Sequence, residues 1–236
     1  MINARWLGHS AFLLGSPSGK QILIDPFLTD NPKTPPEWKS PEQIDTILLT
    51  HGHDDHAADV IPLDQKTGAK VVSIVELSAL LVEDGLPQEQ ALEMNKGGTI
   101  TFGDYKVTMT SANHSSSWKG RYAGDPAGFI IHFGNFSIYH AGDTSIMADF
   151  KDYRKIYQPE MAILPIGDHY TMGPEEAAHA CKLLRPRYAV PMHYGTMPVL
   201  SGTPEVFRKL TEQKTKMNTQ VVVPEPGEEF LEELDI

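Results

Sequence analysis

The sequence predicts an α/β fold in which a mixed sheet is covered by helices. Two observations carry that prediction. Short runs rich in Val, Ile, Thr and aromatic residues recur between Gly, Pro, Asn and Asp. The early runs follow one another as hairpins, whereas the later ones alternate with amphipathic helical patterns.

Strands are predicted over 2–7, 11–15, 21–25, 45–50, 70–75, 99–103, 105–111, 127–133, 135–140, 161–165, 188–192 and 219–223. TITFGDYKVTMT should turn at Gly103-Asp104 and GFIIHFGNFSIYH at Gly134-Asn135. A short helix is expected from near Asp55 through AADVIPL, and a second over 75–85, ending at a glycine. SIMADFKDYRKIY (145–157) is amphipathic. GPEEAAHACKLLRP (173–186) has Pro174 in its first turn, acids beside it and basic residues near its end. TPEVFRKLTEQKTK (203–216) offers Thr203 as N-cap and Pro204 at N1. The Pro/Lys-rich stretch 29–43 reads as a loop, because apolar patterning resumes directly after it. No repeat of period 20 to 50 is visible, so residues 1–236 are expected to form one domain.

A formal net charge of -11 with scattered basic residues argues against nucleic-acid or anionic-membrane partners. It leaves room for a small anionic substrate, because a metal or a few placed cations override net charge locally. The single cysteine, Cys181, excludes an intrachain disulfide and fits a buried helical position. The N-terminus has no long apolar stretch or A-x-A site, and no segment approaches the ~18 apolar residues of a membrane span. A cytoplasmic location without a membrane anchor is therefore expected. Nothing decides between a monomer and a homo-oligomer.

The densest chemistry lies in LLTHGHDDHAAD, residues 48–59. A strand ending at Thr50 would deliver His51 and His53 on the same side, since extended residues two apart point together. Gly52 would let the backbone turn, and Asp55 and His56 would fall where a helix begins, reoriented toward a second ion. A solvated loop capped by Asp55 explains one aspartate and leaves three histidines without a role. Asp54 has no metal role and should face solvent or backbone. Three further ligand types follow predicted strands: His114 in TSANHSSSW, Asp143 in IYHAGDT and His193 in AVPMHYGT.

In residue types, order and separations, this pattern resembles the metallo-β-lactamase superfamily across most of the chain. The resemblance implies a four-layer αββα sandwich of two mixed sheets flanked by helices. It also implies that His51, His53 and His114 hold one metal, that Asp55, His56 and His193 hold a second, and that Asp143 bridges them. WLGHSAF (6–12), IDPF (24–27), GDT (142–144), PIGDHYTMGPEEA (165–177) and VPMHYGT (190–196) are similar to a narrower branch. That branch comprises metal-dependent hydrolases akin to the ascorbate-phosphate lactonases and, more distantly, the phospholipase D that cleaves N-acyl phosphatidylethanolamine. Position 53 is His where the redox di-iron branch carries Glu, which favours hydrolysis. Asp143 replaces the Cys of many β-lactamases, which argues against antibiotic hydrolysis. No insertion resembles the one that grips tRNA in the tRNA-processing relatives.

An imidazole-carboxylate set without thiolate suits two divalent ions: Zn²⁺ first, with Mn²⁺, Fe²⁺ or Ni²⁺ as alternatives. The expected activity is hydrolysis of an ester, lactone or phosphoester in a small substrate by a metal-bridging hydroxide. The alternatives are a non-catalytic metal-binding or sensing module and a nuclease-type phosphodiesterase. Asp55, as ligand, and His169, as acid for the leaving group or oxyanion contact, are the catalytic candidates, with a solvated loop as the plain reading of His169. Asp168 shares that loop. Asp25 either orients a ligand histidine or forms a turn before Pro26. His9 either lines the pocket or is structural, and His140 is either a support for the ligands or a strand residue. Tyr194 either contacts substrate or packs. Lys119 and Arg121 either meet an anionic group or are solvated charges, and His132 and His179 belong to sheet and helix surfaces.

Overall fold

In the computed structural model, which describes residues 2–214 and 219–231, the strands form two sheets. The first contains β1 (Asn3–Gly8), β2 (Ala11–Gly15), β3 (Gln21–Ile24), β4 (Thr46–Leu48), β5 (Lys70–Ile74) and β6 (Ala91–Met94), side by side in chain order. β1 to β3 are antiparallel, and β4 to β6 add parallel to β3. The second sheet repeats this plan. β7 (Thr99–Phe102), β8 (Tyr105–Ser111), β11 (Ala127–Phe133) and β12 (Phe136–His140) are antiparallel neighbours. β13 (Met161–Pro165), β14 (Tyr188–Met192) and β15 (Gln220–Val221) then extend it in parallel. Between β8 and β11 lies a separate hairpin, β9 (Ser117–Trp118) and β10 (Arg121–Tyr122).

Alternation along the strands builds the layers. Phe129 and Ile131 of β11 join Trp6, Phe12, Ile22 and Ile24 in the core between the sheets. Ile130 and Tyr139 face the other way, against Phe150 and Tyr153 of α4 (Phe150–Ile156), Ala177, Cys181 and Leu184 of α5 (Pro174–Leu184) and Phe207 of α6 (Pro204–Lys214). On the first sheet's outer side, α3 (Val75–Glu83) packs on β5 and β6 through Leu77, Leu80 and Leu81. The order helix, sheet, sheet, helix is the expected αββα sandwich. Truncating a fully buried phenylalanine such as Phe129 would cost ~3–5 kcal/mol. Cys181 is free and buried.

Every predicted strand is present within a residue or two, and both hairpins turn where expected. The helix expected near Asp55 is instead two, α1 (Asp54–Ala57) and α2 (Val60–Thr67). Pro62 lacks an N–H and its ring would strike the Ala58 carbonyl of a continuous helix. Asp59, at the break, is used elsewhere: its carboxylate accepts from the Leu28 N–H (2.7 Å), the Thr29 N–H (2.9 Å) and the Thr29 hydroxyl (2.6 Å). The helix expected over 145–157 begins only at Phe150, because Thr144 and Ser145 are tied to a neighbouring loop through Asn113. Thr203 caps α6 as expected, its hydroxyl accepting from the Val206 N–H at 3.4 Å. The last two residues of the predicted 203–216 helix, 215–216, lie outside the described residues. Three elements were not anticipated: β6, the β9–β10 hairpin and a 3-10 turn at Pro36–Trp38. No helix among the described residues is long and apolar enough to cross a membrane.

Candidate metal centre

The C-terminal ends of β3, β4, β12 and β14 deliver Asp25, His51, Asp143 and His193 to one edge of the sandwich, where His114 also arrives after β8. Three groups of side chains there hold ligand atoms within 4.8 Å of one another: His51, His53 and His114; His9, Asp55, His56 and His193; and His51, His56 and Asp143. The first two correspond to the expected ligand sets, with His9 added to the second. Asp143 stands between them, its Oδ2 lying 3.4 Å from His56 Nε2, 3.6 Å from His114 Nε2 and 3.0 Å from His193 Nε2. His51 Nε2 and His53 Nδ1 are 3.0 Å apart, so residues two apart in the sequence do face one point.

Gly52 acts differently from the expectation. Its φ is not positive, so no special turn is made there. A Cβ at this position would instead lie 2.9 Å from the Ser117 carbonyl oxygen and 3.1 Å from Ala123 Cβ and Leu77 Cδ1. Glycine lets the ligand loop press against the β9–β10 hairpin. Gly142 serves both needs: φ is 62°, and a Cβ would lie 2.4 Å from the Ala127 carbonyl oxygen. That turn carries the chain from His140 to Asp143.

Buried hydrogen bonds orient the rings. Asp25 accepts from the Thr50 N–H (2.8 Å), the Thr50 hydroxyl (2.7 Å) and His56 Nδ1–H (2.8 Å). With its proton committed to Asp25, the Thr50 hydroxyl accepts from His51 Nδ1–H at 3.0 Å. Both rings therefore present Nε2 lone pairs to the centre. Thr50 was not anticipated, although a hydroxyl directly before a ligand histidine was visible in LLTH. His9 was anticipated only as a pocket or structural residue. Its Nε2 lies 3.2 Å from Asp55 Oδ2, its ring centroid is 4.0 Å from that of His193, and its carbonyl accepts from the His193 N–H.

The electrostatics suit a cation. Burial, then repulsion from His56, holds His51 well below the usual imidazole range, and burial lowers His53 and His114. Burial pushes His9 down to about 4. For Asp143, burial acts upward, but His193 and His56 outweigh it and keep the carboxyl well below its usual range. Asp55 is lowered in the same way by His56 and His9 against burial. For His56, burial acts downward and is outweighed by Asp143, Asp25 and Asp55. Buried polar atoms seldom lack partners, yet His56 Nε2, Asp143 Oδ1, both ring nitrogens of His193 and His9 Nδ1 have no hydrogen bond. Of these, His56 Nε2 and His193 Nε2 converge on Asp143, and such unsatisfied ring nitrogens beside a carboxylate fit divalent metal.

Several residues take plainer places. His140 donates from Nε2 to the Ser10 carbonyl (3.0 Å) and accepts from the Gly142 N–H at Nδ1 (3.2 Å), so its ring is fully used in holding the loop. Tyr194 stacks on Trp6 with centroids 5.2 Å apart. Asp168 and His169 are exposed with left-handed backbones, Asp168 Oδ1 accepting from the His169 N–H, and the His169 ring stands edge-on to Tyr170. Lys119 pairs with Asp84 and Arg121 with Glu83, both as exposed surface ion pairs. A different cation was missed: the Lys33 stem crosses Gly8, and its Nζ lies 3.8 Å from where a Cβ of residue 195 would stand. Nothing in the Pro-rich stretch around it signals that placement. His132 and His179 lie on the sheet and helix surfaces as expected, and Asp54 is exposed.

Residues 3–193 match the model of the beta-lactamase superfamily domain. A UPF0173 metal-dependent hydrolase of Rubrobacter xylanophilus is 47% identical over 231 residues, 95% of this chain and 94% of its own. A second, from Herpetosiphon aurantiacus, is 46% identical over 94% of this chain and 95% of its own. Among solved structures, Igni18, a metallo hydrolase of the hyperthermophilic archaeon Ignicoccus hospitalis, superimposes with a TM-score of 0.86 and 36% identity over 97% of both chains.

Proposed function

The chain belongs to the beta-lactamase superfamily, in its UPF0173 family of metal-dependent hydrolases, and from that premise we propose that it cleaves an ester, lactone or phosphoester bond of a small substrate at a binuclear centre. The observation that carries this reading is the position of Asp143, with one carboxylate oxygen within 3.6 Å of ring nitrogens belonging to both histidine groups. In this reading His51, His53 and His114 hold one ion, Asp55, His56 and His193 the other, and Asp143 serves both. Zn²⁺ suits the donor set, and Mn²⁺, Fe²⁺ or Ni²⁺ are the alternatives. Bound there, a pair of divalent ions lowers the pKa of coordinated water and polarises the electrophile.

The remaining work falls to the chain. Asp25 and Thr50 fix the tautomers of His56 and His51, and His9 steadies Asp55 through a hydrogen bond. His169, on the exposed loop after β13, is the group proposed to move a proton to the leaving group. Lys33 supplies a cation for an anionic substrate in place of Lys119 and Arg121. The whole chain acts as one hydrolase domain.

The test joins metal analysis to a panel of esters, lactones, phosphomonoesters and phosphodiesters, assayed with added Zn²⁺ or Mn²⁺. Two ions per wild-type chain, loss of both in His51→Ala/Asp143→Ala and turnover of at least one class would support the reading. Two ions retained in the double variant, or a single ion in the fully loaded wild type, would refute the binuclear assignment.

A further inference from the structure

A cavity of about 830 Å³ opens where β13 and β14 begin, at the opposite end of these strands from His193. Arg154, Lys155, Arg185 and Arg187 line it, with Glu160 as the only carboxylate among the described lining residues. Such a gathering of cations stands out in a chain of net charge -11. Lys155 is paired with Asp152 at 2.8 Å, and the Arg187 guanidinium lies 5.1 Å from the Tyr188 ring centroid. Arg154 and Arg185 form no ion pair among the described residues.

Two helix ends place side chains here. Arg185 ends α5 at φ 53° and ψ 50°, its N–H donating to the Cys181 carbonyl. This is the left-handed helix-ending position that glycine normally takes. Gln158, also lining the cavity, sits at φ 48°. Arg185 and Gln158 thus close α5 and α4 in the left-handed conformation common at helix ends, which brings both long polar side chains to this cavity.

We propose that this cleft binds a small phosphate-bearing molecule, with Arg154 and Arg185 as the phosphate contacts. Guanidinium groups present paired N–H donors that match phosphate oxygens. Neither of these two must break an ion pair to do so. The volume suits a small ligand. The five residues of β14 lie between Arg187 and His193, about 20 Å of extended chain, so the site is distinct from the metal centre and does not rest on the hydrolase reading.

The test is a titration of ¹⁵N-labelled, metal-loaded protein with inorganic phosphate at constant ionic strength, followed by amide shifts. Saturable shifts of the amides of Arg154, Gln158, Glu160, Arg185 and Arg187 are expected, with at least tenfold weaker binding in Arg154→Gln/Arg185→Gly. Glycine is favoured at position 185, so Arg185→Gly alone should fold with an unchanged or raised Tm. Shifts confined to the residues around His51 and His193, non-saturating shifts near Arg185, or equal affinity in the double variant would each overturn the proposal.

Discussion

His56 gives its Nδ1 proton to Asp25 at 2.8 Å, and both side chains are fully buried. The contact joins the end of β3 to the start of α1, and it leaves His56 Nε2 facing Asp143. Partners of this kind hold a ligand ring in one tautomer and raise its basicity.

Asp25→Ala should therefore weaken the ion proposed to be held by His56 by roughly 10–100-fold without removing any ligand. Metal affinity measured by competition with a chelator tests this. Two ions held with wild-type affinity in the variant would show that Asp25 only shapes the loop.

Lys33→Ala should raise KM for anionic substrates several-fold while leaving kcat for neutral ones nearly unchanged, since a lost binding contact acts on the ground state. A panel of matched neutral and anionic esters reads the difference. An equal change for both would place Lys33 outside substrate recognition.

Gly52→Ala should cost about 1–3 kcal/mol, the usual penalty for overpacking, because the new methyl group meets the Ser117 carbonyl and Leu77. Urea unfolding of the metal-loaded protein gives the value. The accompanying shift of the loop should also weaken metal binding at His51 and His53, which chelator competition reads separately.

His140 makes stability depend on acid. Burial lowers its pKa below 6.5, and its Nδ1 must accept from Gly142. As pH falls from about 6.5 the unfolded chain takes up this proton before the folded one does, so the unfolded state binds more protons and stability falls. In the metal-free protein, Tm should drop from pH 6.5 downward, and His140→Gln should flatten that slope. Parallel profiles would assign the loss to other groups.

Much of this was legible because it is local. The His51, His53, Asp55 and His56 spacing sits at one strand-to-helix junction, and the strands are marked by β-branched runs between turn residues. What escaped depends on tertiary placement. β6 is a four-residue edge strand with one exposed and two half-buried positions, so its apolar signal is weak. The α1–α2 break required weighing Pro62 against the helical pattern. The late start of α4 reflects Asn113 capturing Thr144 and Ser145, contacts about thirty positions apart in the chain. Lys33 meets Gly195 across far more of it, and no pattern in either stretch announces the other.

The division of the ligands between the two halves of the chain has a consequence for biosynthesis. The HGHDDH cluster leaves the ribosome early, but it holds only part of each proposed ion's environment. His193 follows β14, which comes after all but one of the second sheet's strands in the chain. With the proposed ligand sets, the second ion's environment is complete only once His193 has been made. Ions held as proposed would act as a clasp between the two sheets, so chelation and thermal unfolding should draw on the same reserve of stability.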